Sequence, residues 1–177
     1  MAHVDTLVAV TLSLVAIGAS AQAAMTLTSA DIHPGGVIAP AQIYPRCGGQ
    51  NISPQLSWSK PPYGTRSLVL TMIDLDVKPS LWSHWIVVDL PLSVRGLPRG
   101  AASLPAPARA IASNFGDAAY GGPCPPAGTG VHRYQFTIWA MPAASTAIAP
   151  DARADEIAPT LAKTALDKAS FTGTAKR

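Results

Sequence analysis

Apolar positions along this chain come in short runs, and three of them stand out. Ser67-Leu-Val-Leu-Thr-Met-Ile73 is aliphatic, partly β-branched and too short for a helix, which predicts a buried strand running into Asp74 and Asp76. His84-Trp-Ile-Val-Val-Asp-Leu90 predicts a second strand. Strict alternation places His84, Ile86 and Val88 on one of its faces and Trp85, Val87 and Asp89 on the other. Val131-His-Arg-Tyr-Gln-Phe-Thr-Ile-Trp-Ala140 predicts a third, with His132, Tyr134, Phe136 and Ile138 sharing a face.

Around these runs the pattern is broken by Pro and Gly. Residues 25–45 suit one or two opening strands, with His33 in an exposed turn beside Pro34 and Gly35. A loop from Cys47, containing the sequon Asn51-Ile-Ser53, feeds a short strand ending at Trp58. Residues 91–113 read as loop. From Asp151 to Ala169 the chain is alanine-rich, and Ile157, Leu161, Ala165 and Leu166 make an apolar stripe on a predicted helix. Pro159 predicts a break near Ala158, with the better helix beginning there. Residues 171–177 read as a short tail.

The N-terminus changes the picture of where the protein works. Residues 1–24 have the pattern of a cleaved leader: an apolar run from Leu7 to Gly18, then small residues ending in Ala21-Gln22-Ala23. The n-region carries His3 and Asp5 but no Lys or Arg, which is atypical. The run is too short to span a membrane, so the expectation is a periplasmic or secreted protein with one domain over residues 25–177.

Without the leader, 13 basic and 9 acidic residues leave a net charge of +4. The cations are scattered rather than clustered, which argues against a nucleic-acid-binding groove. Two cysteines, Cys47 and Cys124, in an exported chain favour a disulfide. No CxxC pair supports a structural zinc site.

The candidate chemistry lies at the strand ends: Asp74 and Asp76, His84, and His132 with Tyr134. Asp74 and Asp76, two apart in extended chain, would share a face and oppose each other's ionisation, raising one pKa. Two histidines held protonated by a carboxylate would bind an anion. The same groups could serve as general acid and base in a hydrolase, as a two-histidine, two-carboxylate metal site, or, for the Asp-x-Asp alone, as turn caps. No G-x-S-x-G or HExxH motif is present.

Taken in order, Ile52-Ser-Pro-Gln-Leu-Ser-Trp58, Asp74-Leu-Asp76, His84-Trp85, Tyr120-Gly-Gly-Pro-Cys-Pro-Pro126 and Gly130-Val-His-Arg-Tyr134 resemble the phosphatidylethanolamine-binding protein family, in particular its bacterial Raf-kinase-inhibitor-like branch. The match runs over nearly all of the chain after the leader. The resemblance implies a mostly β fold, an antiparallel β-sandwich with a few short peripheral helices, one near the C-terminus. It implies a pocket for phosphate or a phosphorylated headgroup, formed by Asp74, Asp76, His84 and His132, walled by Tyr120, Cys124, Pro125 and Pro126 with Tyr134 behind. It further implies binding without a metal or other cofactor, and a homodimer; the absence of a catalytic motif favours a binding protein over an enzyme, and regulation or inhibition of an unidentified protein partner is compatible with the same fold. Two positions depart from the family pattern. Leu75 stands where a proline is usual between the acids, and Ala175 where some members have an aromatic residue at the pocket mouth.

Overall fold

The run at Ser67–Asp74 forms the central strand, β3, of a computed structural model that describes residues 23–149, 152 and 154–177. The leader expected over residues 1–24 lies, except for its last two residues, outside the described part. In chain order the elements are β1 (Leu27–Thr28), β2 (Leu56–Trp58), β3, β4 (Trp82–Leu90), β5 (Gly96–Leu97), β6 (Arg109–Ala110), β7 (Val131–Met141), α1 (Ala154–Ala162) and β8 (Asp167–Lys176). A five-stranded antiparallel sheet has the order β6-β4-β3-β7-β8, and a three-stranded one the order β1-β2-β5.

β3 reads as an almost unbroken apolar run because both of its faces are covered. Leu68, Leu70 and Met72 point inward with Phe136 and Ile138 of β7, packing on Leu27, Leu56, Trp58 and Leu97 of the small sheet. Val69 points outward with Ile86, Val88 and Trp139, beneath Ile157 and Leu161 of α1. The result is a mostly β sandwich with one helix near the C-terminus, as expected. His33 sits in an exposed turn, its carbonyl accepting the Gly36 N–H at 2.8 Å.

Five expectations need correction. α1 begins at Ala154 and carries Pro159 inside it instead of starting there. A mid-helix proline costs roughly 3 kcal/mol, but burying Ile157 and Leu161 against the sheet returns about 2 kcal/mol each. The helix also ends at Ala162, so Leu166, 47% exposed, lies outside the apolar stripe. The supposed tail belongs to the ten-residue strand β8, paired along β7 from Val131↔Lys176 to Ala140↔Asp167. Finally, residues 91–113 contain the short strands β5 and β6.

The fifth correction bears on the site. β4 does not alternate strictly. Its register against β3 passes from Ile73↔Ser83 to Met72↔Trp85, so His84 is an extra residue in a β-bulge. A bulge sets two residues against one and rotates the strand locally. His84 therefore joins Trp85 on the sandwich side instead of Ile86 and Val88 on the helix side: its ring lies 5.0 Å from Tyr134, edge to face. A second shift, between Leu68↔Leu90 and Leu70↔Val87, brings Leu90 to the same side, with Asp89 at φ 60.

Candidate functional site

Asp74 continues the inward series Leu68, Leu70, Met72, and Tyr134, its register partner on β7, continues the series Ile138, Phe136 back to His132. The inner face thus ends in polar groups that are almost sealed: Asp74 is 1% exposed, His84 and His132 3% each, and Tyr134 0%. Buried polar groups are costly unless bonded, so the partners of each group define the site.

Asp74 takes the Asp76 N–H on Oδ1 at 2.9 Å and meets His132 Nδ1 with Oδ2 at 2.7 Å. The other ring nitrogen of His132, Nε2, lies 2.8 Å from Thr129 Oγ1. Both nitrogens of His132 are therefore engaged. His84 donates from Nδ1 to the Gly121 carbonyl at 2.8 Å. Burial pushes its pKa down to about 4, against the opposing effects of that hydrogen bond and the Asp74 charge, so the ring is neutral at pH 7. This corrects the expectation of two protonated imidazoles: the carboxylate sits on His132 alone.

The pair of acids is also not a like-charged couple. β3 ends at Asp74, the chain bends, and Asp76 turns to the surface. There Arg133 grips it with Nη2 on Oδ1 at 2.7 Å and Nε on Oδ2 at 3.0 Å, while the Arg133 N–H donates to Oδ2 at 2.8 Å. That clamp lowers the Asp76 pKa to about 2. Leu75 between them donates its N–H to the Arg133 carbonyl at 2.9 Å, a bond that proline could not make.

Tyr134 stands apart. Its hydroxyl makes no hydrogen bond of standard geometry, although it is fully buried beside His84 and close enough to the Asp74 carboxylate to interact with it. Burial, then the Asp74 charge and the interaction of the hydroxyl with the Asp74 carboxylate, push its pKa above the usual tyrosine range.

The remaining expected residues are supports. Tyr120 donates its hydroxyl to the Gln42 carbonyl at 2.9 Å and sets its ring edge-on to Trp85 at 5.5 Å. Cys124 is bridged to Cys47 across 77 residues, with Cα atoms 5.5 Å apart. Closing a loop of that length is worth about 4 kcal/mol in the chain-entropy account. Pro125 lines a separate cleft of about 300 Å³ with Ile38, Ile43 and Ala175, and the Pro126 carbonyl accepts from Thr129. Ala175, buried, is the register partner of His132.

Three residues not foreseen hold the loop in place. Asn51, at φ 57, donates from Nδ2 to the Tyr120 carbonyl at 3.0 Å and accepts the Gly122 N–H on Oδ1 at 2.7 Å, which commits the side chain of the sequon. Phe115 lies edge-on to His84 at 5.2 Å and stacks on Tyr44 at 4.7 Å. It can do so because residue 121 is glycine: a Cβ there would stand 2.5 Å from the Phe115 ring. Phe115 and Gly121 also line a cleft of about 680 Å³, together with Tyr44, Arg46, Asp117 and Tyr120. Thr129 is the third, and its only sequence signal is its place three residues before His132. Among the described residues, no group of three or more His, Cys, Asp or Glu is arranged to hold a metal ion.

Fold and site together define an antiparallel β-sandwich whose inner face closes on a buried acid–imidazole cluster behind a disulfide-tied loop. The family model described as phosphatidylethanolamine-binding protein matches residues 28–176, and the chain belongs to that family. YbcL of Escherichia coli is 38% identical over 143 residues, 76% of this chain and 78% of YbcL. The Mycobacterium tuberculosis protein named putative lipoprotein LppC is 35% identical over 136 residues, 77% of this chain and 66% of its own. The crystal structure of YbcL, described as a new member of the mammalian PEBP family, superposes with a TM-score of 0.80 at 31% identity, covering 88% of this chain and 99% of YbcL. A PEBP homologue of Chlamydia trachomatis, CT736, gives 0.71 at 31% identity, covering 87% and 98%.

Proposed function

We propose that this chain is an exported binding protein whose buried cluster takes a small anion, phosphate or a phosphorylated headgroup. The observation that carries the reading is the Tyr134 hydroxyl, a donor buried without a partner beside His84. Leaving such a donor unsatisfied costs about 1–3 kcal/mol, a cost that an anion's oxygen removes. Among the described residues the hydrogen bond of His84 runs from Nδ1 to the Gly121 carbonyl, with the Gly122 backbone also close by, so Nε2 is the nitrogen that would meet the ligand, directly or by taking up a proton as the anion arrives. Asp74 and His132 form the hydrogen-bonded frame behind these two groups, and His132 reaches a ligand only if Thr129 gives way. The family's name supports a phosphorylated lipid headgroup as one form of the ligand.

Export is supported by the Cys47–Cys124 disulfide, which belongs in an oxidising compartment, and by a relative named as a lipoprotein. The Raf-kinase-inhibitor-like resemblance extends the reading to regulation of a protein partner and to a homodimer, which pull-down and light scattering would address. Calorimetric titration of phosphoethanolamine into wild type, His84→Ala and His132→Ala tests the site. Weaker binding in both variants is expected, and equal affinity in all three would sink the reading.

A further inference from the structure

Pro126-Ala-Gly-Thr129 closes as a turn, with the Thr129 N–H donating to the Pro126 carbonyl at 3.3 Å. Gly128, at φ +81, supplies the left-handed third position that a type II turn requires. The turn delivers the Thr129 hydroxyl to the surface end of the buried cluster. Its Oγ1 lies 2.8 Å from His132 Nε2, and His132 Nδ1 lies 2.7 Å from Asp74 Oδ2. A hydroxyl on one imidazole nitrogen and a carboxylate on the other is the arrangement that activates an alcohol as a nucleophile, and it is recognised by geometry on any fold.

We infer that Thr129, His132 and Asp74 form a nucleophile, base and orienter able to accept an acyl group from a small, activated carboxylic ester. Thr129 is exposed while His132 and Asp74 are buried, so the nucleophile is reachable and its base is shielded from water. The hydroxyl has two acceptors, the Pro126 carbonyl at 2.7 Å and His132 Nε2, and attack proceeds from the arrangement in which its proton points to Nε2. As Oγ1 bonds to the ester's carbonyl carbon, that proton passes to Nε2, while Nδ1–H stays on Asp74. The tetrahedral adduct then breaks its bond to the leaving oxygen, which takes the proton from Nε2 and departs as the alcohol or phenol. The acyl group remains on Thr129. Water attacks next, giving its proton to the same Nε2, and that proton returns to Oγ1 as the acyl bond breaks and the carboxylic acid leaves. The sequence uses only ester and water.

The test is p-nitrophenyl acetate with the oxidised full chain, following release of p-nitrophenolate and mapping acetylated peptides by mass spectrometry. A burst of about one equivalent, with acetyl on Thr129, is expected. Thr129→Val removes the attacking oxygen and should abolish the burst, and Thr129→Ser should retain it. Thr129→Val also removes the partner of the buried His132 Nε2, so its melting is measured beside that of Thr129→Ser, and loss of the burst in a valine variant that is still folded reports the missing nucleophile. Equal bursts in wild type and Thr129→Val, or acetyl found only on lysines or the N-terminus, would overturn the inference and leave Thr129 as a brace for the His132 ring. Phosphoethanolamine titration of Thr129→Val reports separately on anion binding.

Discussion

The two faces of the large sheet are built by the same strands and do different things. On the helix side, Val69, Ile86, Val88 and Trp139 meet Ile157 and Leu161, and Trp139 Nε1 donates to Thr71 Oγ1 at 3.1 Å. On the sandwich side the apolar rows end in Asp74, His84, His132 and Tyr134, where one buried hydroxyl has no partner. The first face is a packing solution that any well-shaped set of apolar side chains could provide. The second holds charged and titratable groups away from water, which costs stability unless each is bonded; of the Asp74, His84, His132 and Tyr134 cluster, the Tyr134 hydroxyl is the group left without a hydrogen bond, as Trp58 Nε1 is elsewhere in the same core.

Breaking that contrast should give its largest effect at Asp74. Asp74→Ala leaves the His132 Nδ1 without its acceptor in a sealed site, and chemical denaturation should show a loss of about 3 kcal/mol or more, with anion binding lost as well. Leu161→Ala should cost about 3 kcal/mol through the cavity beneath α1 yet leave the affinity for phosphoethanolamine unchanged. If binding falls in parallel, the two faces are not separable.

Acid should sharpen the comparison. The pKa of His84 is about 4 folded against an ordinary 6.5, so between those values the unfolded chain binds the extra proton. Stability is therefore fully present above pH 6.5 and declines as pH falls toward 4, by on the order of 3 kcal/mol. Urea titrations at several pH values check this, and His84→Gln should flatten the decline. The smallest effect is expected at Asp76→Asn. Its clamp with Arg133 lies at the surface, so the loss should stay below about 1 kcal/mol despite the bidentate geometry.

Much of this was legible in the sequence where the signal is local. The alternation of His132, Tyr134, Phe136 and Ile138 already defines the inner face of β7, and the ordered motifs point to the family and to Asp74, His84 and His132. What escaped depends on partners distant in sequence. β8 buries Ala169, Phe171, Gly173 and Ala175, and small residues give little hydrophobic contrast, so only its pairing with β7 marks it as a strand. The bulge that turns His84 inward is a property of register against β3. The separate fates of Asp74 and Asp76 follow from Arg133, one position beyond His132 and on the opposite face. Asn51 and Thr129 act through loops that no periodicity describes.

The central claim is that the sandwich-side cluster is completed by an anion at the Tyr134 hydroxyl. Tyr134→Phe removes that oxygen and almost nothing else, so its unfolding free energy should match or slightly exceed that of wild type. Calorimetry with phosphoethanolamine should then show affinity lower by about ten-fold or more, the worth of one hydrogen bond to a charged group. Unchanged affinity in a variant of unchanged stability would contradict the account.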